Sequence, residues 1–159
     1  MKKIIFLFLI FSAVVFAKWE VGTSYTMDGE PLTTFTTYDN TDKGMILIGV
    51  NVDYNGYSVI KIEHYQIKEG DNSIVLIITD NEGNDMRCNF HEDDIEDYGI
   101  RVPSNRASVL TKMLYNGKSA VLKNRYTDEA LANFDLTGIK QIMEKHVGSS
   151  YWYRRKLNE

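Results

Sequence analysis

The chain has 159 residues, of which 43% are hydrophobic and 25% charged, with ten Tyr, seven Phe, two Trp, two Pro and one Cys. That balance fits one globular domain and excludes a disordered chain, a collagen, a coiled coil or a disulfide-stapled miniprotein. With a formal charge of −4 the surface offers phosphate backbones little, so nucleic acid is not an expected partner.

Met1-Lys2-Lys3 opens on positive charge, Ile4 to Phe11 is unbroken apolar sequence, and Val15-Phe16-Ala17 ends on a small residue. These are the three parts of a secretory signal, and cleavage is expected after Ala17. A membrane anchor fits less well. Ile4 to Ala17, at 1.5 Å per residue, falls short of a hydrocarbon core of about 30 Å. Cleavage leaves Lys18 to Glu159, 142 residues, and removes Lys2 and Lys3, so the formal charge falls from −4 to −6. The expected address is the periplasm or the cell exterior, with no transmembrane segment once the leader is gone.

The front half reads as strands punctuated by turns. Trp19 to Thr26 carries Trp19, Val21 and Tyr25 and stops at Met27-Asp28-Gly29. Thr33 to Tyr38 is rich in Thr and aromatics, which favour strands, and ends in the polar run Asp39 to Gly44. Met45 to Val52 is nearly all apolar, as a central strand should be. Asp53-Tyr54-Asn55-Gly56 contains Asn-Gly, a strong hairpin signal, and the next strand, Tyr57 to Tyr65, alternates Ser58, Ile60, Ile62 and His64 against Tyr57, Val59, Lys61, Glu63 and Tyr65. Glu69-Gly70-Asp71-Asn72 turns the chain into Ile74 to Thr79, and Asp80 to Asn84 turns it into Met86 to His91. Three hairpins in succession predict a meander, as in a sandwich or a barrel.

Cys88 stands alone, so no intramolecular disulfide can form, and alternation places it with Met86 and Phe90 on one strand face. A free Cys there is expected to act as a small buried hydrophobe. Intermolecular pairing and a reactive thiol are the alternatives.

His91-Glu92-Asp93-Asp94-Ile95-Glu96-Asp97 breaks the strand rhythm. Glu92, Asp93, Asp94, Glu96 and Asp97 are candidate ligands for a weak Ca²⁺ site, because Ca²⁺ takes six to eight oxygens. The helical-hand calcium spacing is missing, and a solvated acidic loop is the simpler reading. Asp39-Asn40-Thr41-Asp42 is a sparser oxygen-rich turn of the same kind. His64, His91 and His146 lie too far apart in sequence to suggest zinc.

Tyr98 to Val102 predicts a short strand ended by Pro103. Ser104 is a candidate helix N-cap, and Ala107, Leu110, Met113 and Leu114 recur at helical spacing until Asn116-Gly117. Ser119 to Tyr126 and Ala130 to Leu136 read as two strands joined at Thr127-Asp128. A last helix, capped by Thr137, carries Ile139, Ile142, Met143 and His146 or Val147 on one face and stops at Gly148, with His146 at its cation-favouring end. Each helix has one apolar stripe, so each should lie against a sheet. The fold class expected is mainly β (α+β): an antiparallel β-sandwich or barrel-like meander with two packed helices in the C-terminal half. Residues 1–17 are the leader, 18–148 a single β-rich domain and 149–159 an aromatic and basic tail.

In that tail Tyr151, Trp152, Tyr153, Arg154 and Arg155 combine rings with cations, a mixture suited to a membrane interface, an anionic glycan or a partner groove. Packing against the domain, or a loosely ordered chain end, is the simpler expectation.

Met113-Leu114-Tyr115-Asn116-Gly117, the strand Ser119 to Tyr126 and Phe134-Asp135-Leu136-Thr137-Gly138-Ile139 together resemble the invasion-associated locus B family of secreted bacterial proteins. Trp19, just after the cleavage site, resembles that family's start. The resemblance covers about a third of the chain and implies an envelope β-sandwich without established catalytic residues. The family's paired Cys are absent here.

No Gly-x-Ser-x-Gly, His-Glu-x-x-His, phosphate-binding glycine loop or Cys-x-x-Cys occurs in the sequence. The expected function is therefore non-enzymatic binding of an envelope or host protein through a sheet face, a sheet edge or the tail. The alternative is a small secreted hydrolase of cell-wall or glycan substrates that uses paired carboxylates of the acidic loop.

Overall fold

The computed structural model describes residues 19–53, 57–148 and 151–154. Strands β1 (Glu20–Tyr25), β2 (Pro31–Tyr38), β3 (Gly44–Val50) and β4 (Ser58–His64) run antiparallel in succession. Next come β5 (Ile74–Asp80), β6 (Asp85–Asn89), the short pair β7 (Ile95–Glu96) and β8 (Gly99–Val102), and helix α1 (Ser104–Asn116). β9 (Gly117–Asn124), β10 (Ala130–Asp135) and helix α2 (Ile139–Val147) complete the domain. The first sheet has the order β1-β2-β3-β4-β8-β7 and the second β10-β9-β5-β6.

Alternation along each strand decides what is buried. Register aligns Phe35, Ile48, Ile60 and Val102 in one row of the first sheet, and Thr37, Ile46, Ile62 and Ile100 in the next. All eight are buried, while Lys61 and Glu63, on the opposite face, are half-exposed. In the second sheet Leu76, Ile78, Leu122, Ala120, Ala132 and Phe134 share the inner face. Each fully buried Ile, Leu or Phe contributes roughly 1.5–3 kcal/mol. α1 closes the core against β4, where Thr111 donates a 3.1 Å hydrogen bond to Ser58 Oγ. The sheets approach at β2 and β10, where Asn40 N–H donates to Asn133 O at 3.3 Å.

The meander stops after β4. No hairpin joins β4 to β5; β4 takes β8 as its neighbour and the chain crosses to the second sheet, which leaves two sheets and no closed barrel. The crossing is pinned by Ile67, which is fully buried and whose C=O accepts from Tyr98 N–H. β5 is apolar on both faces, and a central place in a second sheet covers it where another edge position would not.

Both helix starts also differ from expectation. Pro103 takes the N-cap and Ser104 is the first helical residue of α1, as proline's fixed φ near −65° allows. Gly138, at φ 89°, precedes α2 in place of Thr137, because the chain turns there through a left-handed conformation that glycine tolerates.

Candidate functional site

The acidic loop does not act as one group. Asp94 is buried, and both its oxygens pair with the Arg106 guanidinium while His91 N–H donates to it at 3.1 Å. Burial pushes the Asp94 carboxyl up, but Arg106 and the His91 amide outweigh it and hold the group below the usual carboxylate range. Asp97 accepts from Glu69 N–H at 3.1 Å, and Glu96 lies 3.8 Å from Arg101. Glu92 and Asp93 face solvent. Among the described residues no three or more His, Cys, Asp or Glu side chains come together as a metal cage.

The described part of the tail packs against the domain. Trp152 and Tyr153 are buried against α1, and Tyr153 hydroxyl donates to Gly148 O at 2.6 Å. Tyr151 hydroxyl reaches Asn51 O, and the Tyr115 and Tyr153 rings lie 4.9 Å apart. Large aromatic area is more stabilising in the core than in water, which accounts for the burial of Trp152 and Tyr153, while Tyr151 is partly buried. The Arg154 side chain and Arg155 lie outside the described residues.

Cys88 lies with Met86 and Phe90 against the core, half-buried, and burial pushes its thiol up despite the nearby Arg106. His64 is buried at the junction of the sheets. Its Nδ1 accepts from Gln66 N–H at 3.3 Å, and burial lowers its pKa against a smaller upward pull from Asp39. His91 and His146 are exposed.

Between the β5–β6 turn, α1 and α2 lies a cleft of about 420 Å³ lined by Asp80, Glu82, Met86, Lys112, Asn116 and Lys140, among others. The Asp80 carboxylate already clasps its own turn, accepting from the Glu82 and Asn84 amides at 2.8 Å each. The charged groups of the lining are two carboxylates, Asp80 and Glu82, and two amines, Lys112 and Lys140. A smaller hollow of about 300 Å³ sits beside Thr26, Asp28, Glu30, Asn51 and Tyr57.

The four sheet edges differ more informatively. β7 is two residues long, β10 shifts register between Ala130 and Ala132, and β6 carries Asp85 and Arg87. Shortness, irregularity and charge each protect an edge from further pairing. β1 is neither short nor irregular and carries a single charge, Glu20 at its first position: six residues, no Pro, and every residue exposed. Trp19, buried, anchors its start.

An antiparallel ladder alternates the side to which backbone groups point. Thr26 N–H donates to Glu30 O at 2.9 Å in the β1–β2 register, and Asp39 N–H to Gly44 O at 2.9 Å in the β2–β3 register. Both assign the β1–β2 bonds to Glu20, Gly22 and Ser24. The N–H and C=O groups of Val21, Thr23 and Tyr25 therefore point to the outer edge, where no strand pairs with them among the described residues. The sequence marks β1 as a strand but not as an edge. Its one usable signal is a run with a single charge and no proline.

Comparison with protein-family models, with curated proteins and with solved structures finds no match to this chain.

Proposed function

We propose that this chain is an exported, non-enzymatic interaction protein of the bacterial envelope, and that it works by accepting an extended partner strand on β1. The observation that carries the reading is the edge of β1, unpaired among the described residues, with the N–H and C=O of three residues facing outward and no guarding charge or proline beyond Glu20. Strand addition takes its affinity from such main-chain groups and its specificity from alternate side chains. The leader pattern Met1 to Ala17 and the resemblance to the invasion-associated locus B family support the envelope address. With cleavage after Ala17, only Lys18 precedes Trp19, so the leader would not remain to cover the edge.

A photoreactive amino acid placed at Thr23 in cells exporting the chain tests this directly. The expected result is a protein adduct of defined mass at Thr23 and none at Val109, an exposed residue on α1. Equal labelling at both positions, or none at Thr23, would overturn the reading.

A further inference from the structure

We infer that the strand received by β1 is β1 of a second copy of this chain, paired antiparallel about a twofold axis at Thr23. The inference rests on β1 being the docking edge and names its occupant.

Strands pair with side chains of facing residues on the same side, so only registers that align odd with odd and even with even residues are open. Outward backbone groups belong to Val21, Thr23 and Tyr25. Of the self-pairing registers, the one that sets Thr23 opposite Thr23 uses all three, because Val21 then faces Tyr25 of the second copy. Each facing pair exchanges two hydrogen bonds, which satisfies every open donor and acceptor of these three residues. Shifting by one step of two residues leaves Val21 or Tyr25 unpaired within the strand.

The side chains fit the same register. Val21 is 38% exposed and Tyr25 67% exposed. Setting them opposite one another makes two aromatic to β-branched pairs on one face, flanking a Thr–Thr pair at the axis. On the other face Gly22 meets Ser24, two small residues without steric conflict. Glu20 falls opposite Thr26, beyond the strand end, so the carboxylates of the two copies do not confront each other. A self-complementary patch of this kind closes on itself as a dimer and does not propagate.

Sedimentation of the full exported chain should show a concentration-dependent dimer. Thr23→Pro removes the two amides at the axis without touching the β1–β2 ladder, and should weaken dimerisation at least about tenfold. Thr23→Lys and Thr23→Glu should each shift the chain toward monomer through like charges at the axis, and mixing them should restore the dimer. In a Cys88→Ser background Thr23→Cys should cross-link on mild oxidation. Val21→Cys should not, because its copies lie about 13 Å apart along the strands, beyond the roughly 7 Å limit for a disulfide.

A chain that stays monomeric at every concentration, a mixture of charge variants that fails to pair, or cross-linking of Val21→Cys as readily as Thr23→Cys would overturn the inference. The photo-adduct at Thr23 separates it from the reading it rests on. An adduct of twice the chain mass supports both, an adduct to a different protein from a monomeric chain overturns only the second copy, and no adduct overturns both.

Discussion

Asp94 shows how a residue chosen for its charge finds its use in the company it keeps. Five carboxylates in a short run suggest a cation, but one of them is buried and already has a cation in Arg106. Removing that partner leaves a buried charge unpaired, so Arg106→Ala should cost roughly 3 kcal/mol at neutral pH by urea denaturation, and Asp94→Asn with Arg106→Met far less. Because the folded carboxyl is held below its ordinary value, the pair stabilises above that value, and its contribution is lost as pH falls through the acid range. His64 has the opposite chemistry and acts in a different window. Burial lowers its pKa from about 6.5, so the unfolded chain takes up more protons as pH falls below 6.5 and stability declines there. The urea midpoint should therefore drop between pH 7.5 and 5.5, and His64→Gln should flatten that drop. An unchanged slope in the variant would assign the effect elsewhere. The sequence supplied both residues as candidates, but not Arg106, twelve positions beyond Asp94, because ion pairs across elements leave no local pattern.

Strand β1 carries its meaning at the scale of the element. Its backbone points alternately to β2 and to the open edge, so neighbouring prolines should behave differently. Ser24→Pro removes a ladder bond and should cost about 3 kcal/mol, whereas Thr23→Pro should cost under about 1 kcal/mol and abolish docking. Thermal midpoints of the two variants decide this, and equal losses would contradict the assigned alternation. Most elements were legible in the sequence because alternation and turn residues act locally: the inward set Ser58, Ile60, Ile62 and His64 follows from period two alone. The crossover after β4 was not legible. Glu69-Gly70-Asp71-Asn72 has hairpin chemistry, and only the burial of Ile67 and its bond with Tyr98 divert the chain. Gly117 is a similar case. It reads as a helix stop, yet its φ of −75° needs no glycine. The requirement is steric, since a Cβ there would lie 2.6 Å from Leu136 Cδ1 and 2.8 Å from Ile78 Cγ2.

At the scale of the whole molecule, two antiparallel sheets and two helices share one core, and the C-terminal aromatics belong to it. Trp152→Ala should therefore lower stability by about 3–5 kcal/mol, as loss of a buried aromatic does, and the readout is unfolding by urea. A tail serving only recognition would leave the unfolding curve unmoved. No helix among the described residues is long and apolar enough to cross a membrane. Three sheet edges are guarded by shortness, irregular register or charge, and on the fourth, β1, no strand pairs among the described residues. Edge status was barely legible in the sequence, because it depends on which strands lie beside β1 more than on β1 itself. Residue-resolved amide hydrogen exchange along β1 tests the central claim most directly. In dilute solution Gly22 and Ser24 should be protected and Val21, Thr23 and Tyr25 should exchange freely, and the latter three should become protected when the partner strand docks. Protection of all five amides in dilute solution, or odd-numbered amides that stay unprotected in the complex, would contradict it.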